Sequence, residues 1–411
     1  MCKRIHAFLL VLFLILQIPP LTQEILAGQW DEGVTKKRPY SNDSPWNLKI
    51  GPQPVYDPYS KFYVASIHGW FGADAHWFEF PLYEVSKKTP LKKVKISCVY
   101  SKVVDNGTRL IIKKRTSVEV PVPDEAIPAK GTDANIIFWN PETGDEWGFW
   151  QAKVQYDGSW LARNGYHYNT KWNAVPPKGF ISRGAGLPYF AGLIRPWEIK
   201  QGKIEHSIGF SLNYPSPLYV YPATKSDGIS KAIPSLPEGA RLQLDPTLTK
   251  EDFQSWRLNR EGRIIARALQ EYGMILVDGS GHPKISVEYE GTARWGDLLN
   301  KNAVSNIPYS AFKLLSLSTP KRPIHPKNLS FEIKKKHIFL KWDPSPTATR
   351  YRVKRRQQGK KDFKLLDKWV TKTYYVDKVV KSGAIYEYKV IAVNCNGLSQ
   401  PSQVKIFYNG G

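Results

Sequence analysis

Gly383-Ala384-Ile385-Tyr386-Glu387-Tyr388-Lys389-Val390-Ile391-Ala392-Val393-Asn394 is the stretch that settles the C-terminal part of this chain. It alternates apolar and charged positions as a half-buried strand does, and Asn396-Gly397-Leu398-Ser399 with Pro401-Ser402 makes the turn before a final strand. Upstream, Leu329, Phe331 and Ile333 alternate, then Ile338, Leu340 and Trp342, with Lys334-Lys335-Lys336-His337 between them. That is a hairpin with one buried face. Tyr351 and Val353 alternate with Arg350, Arg352 and Lys354 in a third strand.

In this order, Trp342, the Tyr-x-Val at 351–353, Gly-x-x-Tyr-x-Tyr-x-Val-x-Ala-Val-Asn and the following Gly397-Leu398-Ser399 resemble a fibronectin type III domain over Pro323 to Tyr408. The resemblance implies a two-sheet sandwich. Tyr386 would be its tyrosine corner, bonding backbone upstream. It also implies a spacer or adhesion module rather than an active site.

The chain has 411 residues, more than the roughly 250–300 that one core supports. We divide it into a signal peptide (1–27), an irregular lead-in (28–60), a β-sandwich domain (61–317) and the fibronectin type III domain (318–411). The net charge is +23; from Pro320 onward 21 Lys/Arg face 6 Asp/Glu, a surplus of 15 in that domain. So strong a field favours an anionic partner. An anionic cell-envelope polymer or polysaccharide is expected, not nucleic acid.

Lys3 and Arg4 precede an apolar run from Ala7 to Leu16, and Pro19-Pro20 follows. The run is too short to span a bilayer and reads as a signal peptide, cleaved near Ala27-Gly28. The mature chain is therefore expected outside the cell or in its wall, with no transmembrane span. Cys2, Cys98 and Cys395 are the only cysteines, which gives neither a disulfide framework nor metal-ligand spacing. No metal and no cofactor is expected.

In the larger domain, short strands alternate with turns. Trp77–Val85 and Val94–Tyr100 alternate with period two, and Pro121 marks Ser117–Val122 as an edge strand. A hairpin runs from Asn135 to Val154 around Asn140–Asp145. Further strands follow at Ile204–Leu212, Leu218–Tyr221 and Ala240–Leu244, and a second hairpin pairs Met274–Val277 with Lys284–Tyr289. One helix interrupts them between Thr249 and Tyr272, with Gly273 as its cap. The fold class is mainly β: a jelly-roll-like β-sandwich with one helix, followed by the fibronectin type III sandwich. Blocks between Ser44 and Trp295 are also similar to uncharacterised secreted bacterial β-sandwich proteins, in which a histidine often stands two residues after the aspartate matching Asp133. Asn135 stands there in this chain.

Nucleophile elbow, zinc-protease helix, phosphate loop and Rossmann glycines are all missing. Three polar-aromatic clusters remain. His68, Trp70, Asp74, His76 and Trp77 fall within a dozen residues, as a sugar platform or as packing. Asp133 opens the strand that leads to Trp150, with Glu142, Asp145 and Glu146 at the hairpin turn. Arg195, His206 and Asp227 supply a cation, an imidazole and a carboxylate, the groups that a polysaccharide lyase uses.

The expectation is a secreted protein that recognises a polysaccharide. Trp70, Trp77, His68, His76 and Trp150 would bind it, and Asp133, Arg195, His206 and Asp227 would orient or attack it. Arg355, Arg356, Lys360 and Lys361 would hold an anionic polymer. If it is an enzyme, it is a glycoside hydrolase or polysaccharide lyase. The rival reading is a non-catalytic adhesion or envelope-binding protein. Convergence of Asp133, Arg195, His206 and Asp227 in one cleft separates the two.

Overall fold

The computed structural model describes residues 35–409 apart from 98–102, 106–108, 112–115, 178–180, 231, 233, 318–322, 335, 346–347, 349, 371 and 395–396. The signal peptide, all three cysteines and the 317/318 boundary lie outside the described residues. The chain is mainly β, in several sheets. Lys37–Gly411 forms one contact unit. Within it, the apolar cluster built on Ile338, Trp342, Tyr351, Tyr388 and Ile406 draws only on residues after 328.

That cluster fills a sandwich. Strands Ser330–Lys334, His337–Lys341 and Tyr374–Asp377 form one sheet. Lys364–Val370, Arg350–Gln357, Ala384–Asn394 and Gly397–Leu398 form the other, and Ser402–Tyr408 pairs with Ala384–Asn394. The Tyr386 hydroxyl meets backbone five residues upstream, accepting from the Lys381 N–H at 2.9 Å. Asp377 is 3% exposed and accepts from Arg355 Nη1 at 2.6 Å and the Tyr388 hydroxyl at 2.7 Å. Removing one side of a buried ion pair strands the other. Asp377→Ala is therefore expected to cost about 3 kcal/mol of stability, read as a lower denaturant midpoint. An unchanged midpoint would show that the pair contributes nothing.

The larger part holds three apolar clusters. Strand Ile136–Trp139 pairs with Asp145–Trp150 as the sequence hairpin requires. Thr116–Pro121 pairs with Leu91–Ile96 and lies at its sheet's edge, where Pro121 lacks a donor to offer. Besides the short helices Ser60–Ala65 and Pro196–Gln201, which the single expected helix did not include, the segment from Thr249 is two helices: Lys250–Ser255, opened by a Thr249/Asp252 capping box, and Arg260–Glu271, whose Asn259 cap accepts from Gly262 N–H at 2.9 Å. Gly273 follows at φ +69°, a left-handed position that favours glycine.

The reading of residues 274–289 as a hairpin is corrected. Met274–Gly279 and Lys284–Ile285 do not pair, because Ile208–Leu212 inserts between them; the sheet continues through Arg241–Leu244 to Phe312–Leu314. Helix Arg260–Glu271 covers one face with Ile265 and Leu269, against Phe210, Leu242, Met274 and Leu276. The opposite face presents Ile275 and Val277 to an aromatic cluster with Trp46, Tyr166 and Tyr189.

Candidate carboxylate centre

Along Met274–Gly279 the register against Ile208–Leu212 slips. Phe210 faces Leu276, but Ser211 faces Asp278, leaving Val277 without a partner. Without the slip, Asp278 would share the face of Met274 and Leu276, under the helix. The extra residue instead turns Asp278 to the Ile275/Val277 face, the kind of re-aiming that bulges provide. There the Gly184 N–H donates to its carboxylate.

Two more acids arrive beside it. Glu238 ends the short strand Pro237–Glu238, fixed by Gly239, whose N–H donates to Leu276 O at 2.7 Å. Asp227 comes from the loop after Tyr219 and is exposed. A Cβ on Gly184 would stand 2.6 Å from Asp227 Oδ1, 2.7 Å from Asp278 Oδ1 and 2.7 Å from Glu238 Oε1. The missing side chain thus makes room for the acids to meet. One oxygen from each lies within 4.8 Å of the others.

Such crowding forces protons onto carboxylates. Glu238 is fully buried, and among the described residues neither of its oxygens has a hydrogen bond of ordinary geometry. Burial, then repulsion from Asp278 and Asp227, pushes its carboxyl up to about 10. Burial and the Asp227 charge raise Asp278 to about 7, while the Arg183 guanidinium pulls the other way. Arg183 is itself buried, donating to Ser286 Oγ at 3.0 Å and to the Pro188 and Ala191 carbonyls at 3.3 Å, 5.0 Å over the Phe80 ring. Burial holds the Lys225 ammonium below its ordinary value, against the pull of Asp227 and Asp278. Three carboxylate oxygens at this spacing are also a set that a hard divalent cation accepts, in competition with Lys225 and Arg183.

Of the four residues expected to converge, Asp227 sits in this centre and Asp133 beside it. Asp133 accepts from the Trp150 indole N–H at 3.1 Å, and its charge acts on both Asp278 and Tyr189. Arg195 and His206 lie elsewhere, each in a buried ion pair. Arg195 is 4% exposed and reaches Glu288 at 3.2 Å and Glu84 at 3.1 Å, between the rings of Trp139 and Phe190. His206 contacts Glu198 at 3.0 Å through Nε2 and the Ser207 carbonyl at 2.8 Å through Nδ1.

Burial lowers the His206 pKa, but Glu198 more than offsets that and leaves it raised. A histidine raised on folding stabilises fully below its unfolded value of about 6.5 and loses that contribution as pH climbs through the folded value. The melting temperature is therefore expected to fall as pH rises from 6 to 9. His206→Gln should flatten that slope. A slope unchanged by the substitution would exclude His206 as its source.

Trp77 and Phe78 are exposed by 47% and 41%. Ser211 stands opposite both Asp278 and Lys284, so these three side chains share one side of the sheet. Lys284 Nζ donates to Glu79 at 2.7 Å and to the Trp77 and Phe78 carbonyls at 3.4 Å. Two strand spacings put Lys284 roughly 10 Å from Asp278.

His76 pairs with Glu290 and, with Asp74, Lys130 and Arg294, lines a cleft of about 650 Å³. Trp70 borders a second, of about 480 Å³, and His68 is exposed. In the C-terminal sandwich, Arg355 pairs with Asp377 and Arg356 with Glu387, both at 2.6 Å, while Lys360 and Lys361 are exposed. Two of the four cations expected to grip a polymer therefore carry their own counter-ion.

Sequence reasoning passed over Arg183, Lys225, Glu238 and Asp278. The available signal was Asp278 closing the apolar run Met274–Val277, and Glu238 between Pro237 and Gly239. Both read locally as turn residues.

No family model matches the chain, and no curated protein does. Similar solved structures are fibronectin type III domains. One is an Fn3-like protein from Clostridium thermocellum, 26% identical over 22% of this chain and 95% of that one, with a TM-score of 0.20. Another is FN3tt, 18% identical over 22% of this chain and all of that one, at 0.20. The fn3 domain of human collagen alpha-1(XX) chain is 20% identical over 23% of this chain and 91% of that one, at 0.20.

Proposed function

We propose that this is an exported glycoside hydrolase that binds a polysaccharide beside the exposed Trp77 and Phe78 and cuts it at the carboxylate centre. The observation that carries the reading is the meeting of Asp278 with the exposed Asp227 in the space left by Gly184, where burial and the Asp227 charge raise Asp278 to about 7. A proton donor works best with a pKa near the working pH. One oxygen of each acid lies within 4.8 Å of the others, short of the roughly 6.5–9.5 Å that separates inverting pairs.

In that scheme Asp278 gives its proton to the glycosidic oxygen as the C–O bond breaks, and Asp227 attacks the anomeric carbon to form a glycosyl ester. Asp278, now a carboxylate, takes a proton from water. The hydroxide displaces Asp227, and both acids return to their starting states. Glu238 stays protonated behind them and does not touch the sugar. The rings of Trp77 and Phe78 offer flat faces for a neighbouring sugar unit, and exposed Lys360 and Lys361 hold the protein near an anionic surface.

The second reading, binding without cleavage, draws on Lys225 and Arg183, whose charges offset the acids without any reaction. A depolymerisation screen of envelope and extracellular glycans separates them. Release of reducing ends that stops in Asp278→Asn supports hydrolysis. Binding with no release supports the rival.

A further inference from the structure

The cleft beside Trp70 is built from segments distant in sequence and differs in chemistry from the carboxylate centre. Trp70, Arg257, Asn300, Asn302, Ser305 and Asn306 line it, and no carboxylate does among the described residues. Asn302 Oδ1 accepts the Trp70 indole N–H at 3.1 Å, and Asn300 Oδ1 accepts the Asn302 backbone N–H at 2.8 Å. Both amide oxygens are thus turned to the protein, which leaves the NH2 groups to donate. Asn306 does the reverse: its Nδ2 donates to Trp256 O at 3.0 Å, leaving Oδ1 to accept. Arg257 is exposed, with φ +53°, and has no ion pair among the described residues. The Trp70 ring is held against His282, 4.9 Å away.

A fixed ring, a cation, two amide donors and one acceptor suit a pyranose that carries a carboxylate. The guanidinium and NH2 groups meet the carboxylate, and the Asn306 oxygen meets a hydroxyl. We propose that this cleft is a subsite for a uronic acid unit, which makes the substrate an acidic polysaccharide. The proposal rests on the polysaccharide reading above but not on cleavage. A chain with net charge +23 also draws such a polymer at low salt.

The test is calorimetric titration of the full chain, at low salt, with tetragalacturonate and tetramannuronate. Each is compared with the same tetramer after its carboxyls are reduced to alcohols. At least one acidic tetramer is expected to bind, with the reduced form at least tenfold weaker. Arg257→Gln, at an exposed position that leaves the fold intact by circular dichroism, should weaken the acidic tetramer about tenfold. Trp70→Ala should do the same. Equal affinity for acidic and reduced tetramers, wild-type affinity in Arg257→Gln, or no binding of either acid overturns the proposal. Uronate binding through Arg257 without glycan cleavage refutes the hydrolase alone; cleavage with unaltered binding in Arg257→Gln refutes the subsite alone.

Discussion

Asp278→Asn is expected to lower kcat/KM for glycan cleavage at least 10³-fold, with KM little changed. The amide keeps the size and most hydrogen bonds of the acid but cannot deliver a proton. General acid catalysis is worth roughly 10²–10⁴-fold, and the same residue serves both steps of a retaining mechanism. Its effect on stability should run the other way. Asp278 is raised on folding to about 7, so the native state binds its proton more tightly than the unfolded chain does. That contribution is complete below about 3.9, the unfolded value, and is lost as pH rises through 7. At pH 8 the ionised, crowded Asp278 destabilises, and Asp278→Asn should melt higher than wild type. Lower activity with a higher melting point at pH 8 is a combination that simple misfolding does not give. A lower melting point at pH 8, or retained cleavage, would contradict the assignment.

Gly184→Ala is the second large effect. A methyl group there would stand 2.6–2.7 Å from an oxygen of each acid, so all three must move. They are side-chain ends that can swing aside, so the stability cost should stay near 1–2 kcal/mol, in the ordinary range of single substitutions. The catalytic cost is larger, because a displacement of about 1 Å in a positioned group costs on the order of 10²-fold. The expected outcome is a folded protein, about 10²-fold slower, in which Asp278 titrates closer to an ordinary aspartate. Wild-type cleavage in Gly184→Ala would mean that the acids need not meet.

The C-terminal sandwich was legible because its signals are local. The alternation of Tyr386, Tyr388, Val390 and Ala392 sets one buried face, and these residues do fill the core. The Asn135–Val154 hairpin and the helix ending at Gly273 were legible for the same reason. The second hairpin was not, since nothing near residues 274–289 reveals that Ile208–Leu212, some seventy positions earlier, lies between its arms. The same non-local pairing creates the slip at Val277 that turns Asp278 toward Arg183. Asp133 and Asp227 could be singled out as polar residues in aromatic surroundings, but their relation to Glu238 and Asp278 exists only in three dimensions. Arg195 and His206 were singled out as the cation and imidazole of a polysaccharide lyase, but both stand among apolar neighbours. Their carboxylate partners, Glu84, Glu288 and Glu198, are what that setting required.

Carboxyl titration by carbon-13 NMR, following the aspartate and glutamate side chains of wild type and Asp278→Asn from pH 3 to 11, bears most directly on the carboxylate centre. One aspartate resonance should titrate near 7 and vanish in the variant, and one glutamate should hold its proton to about 10. If every carboxyl loses its proton below pH 5, the three acids do not crowd as described, and the centre has no proton to give.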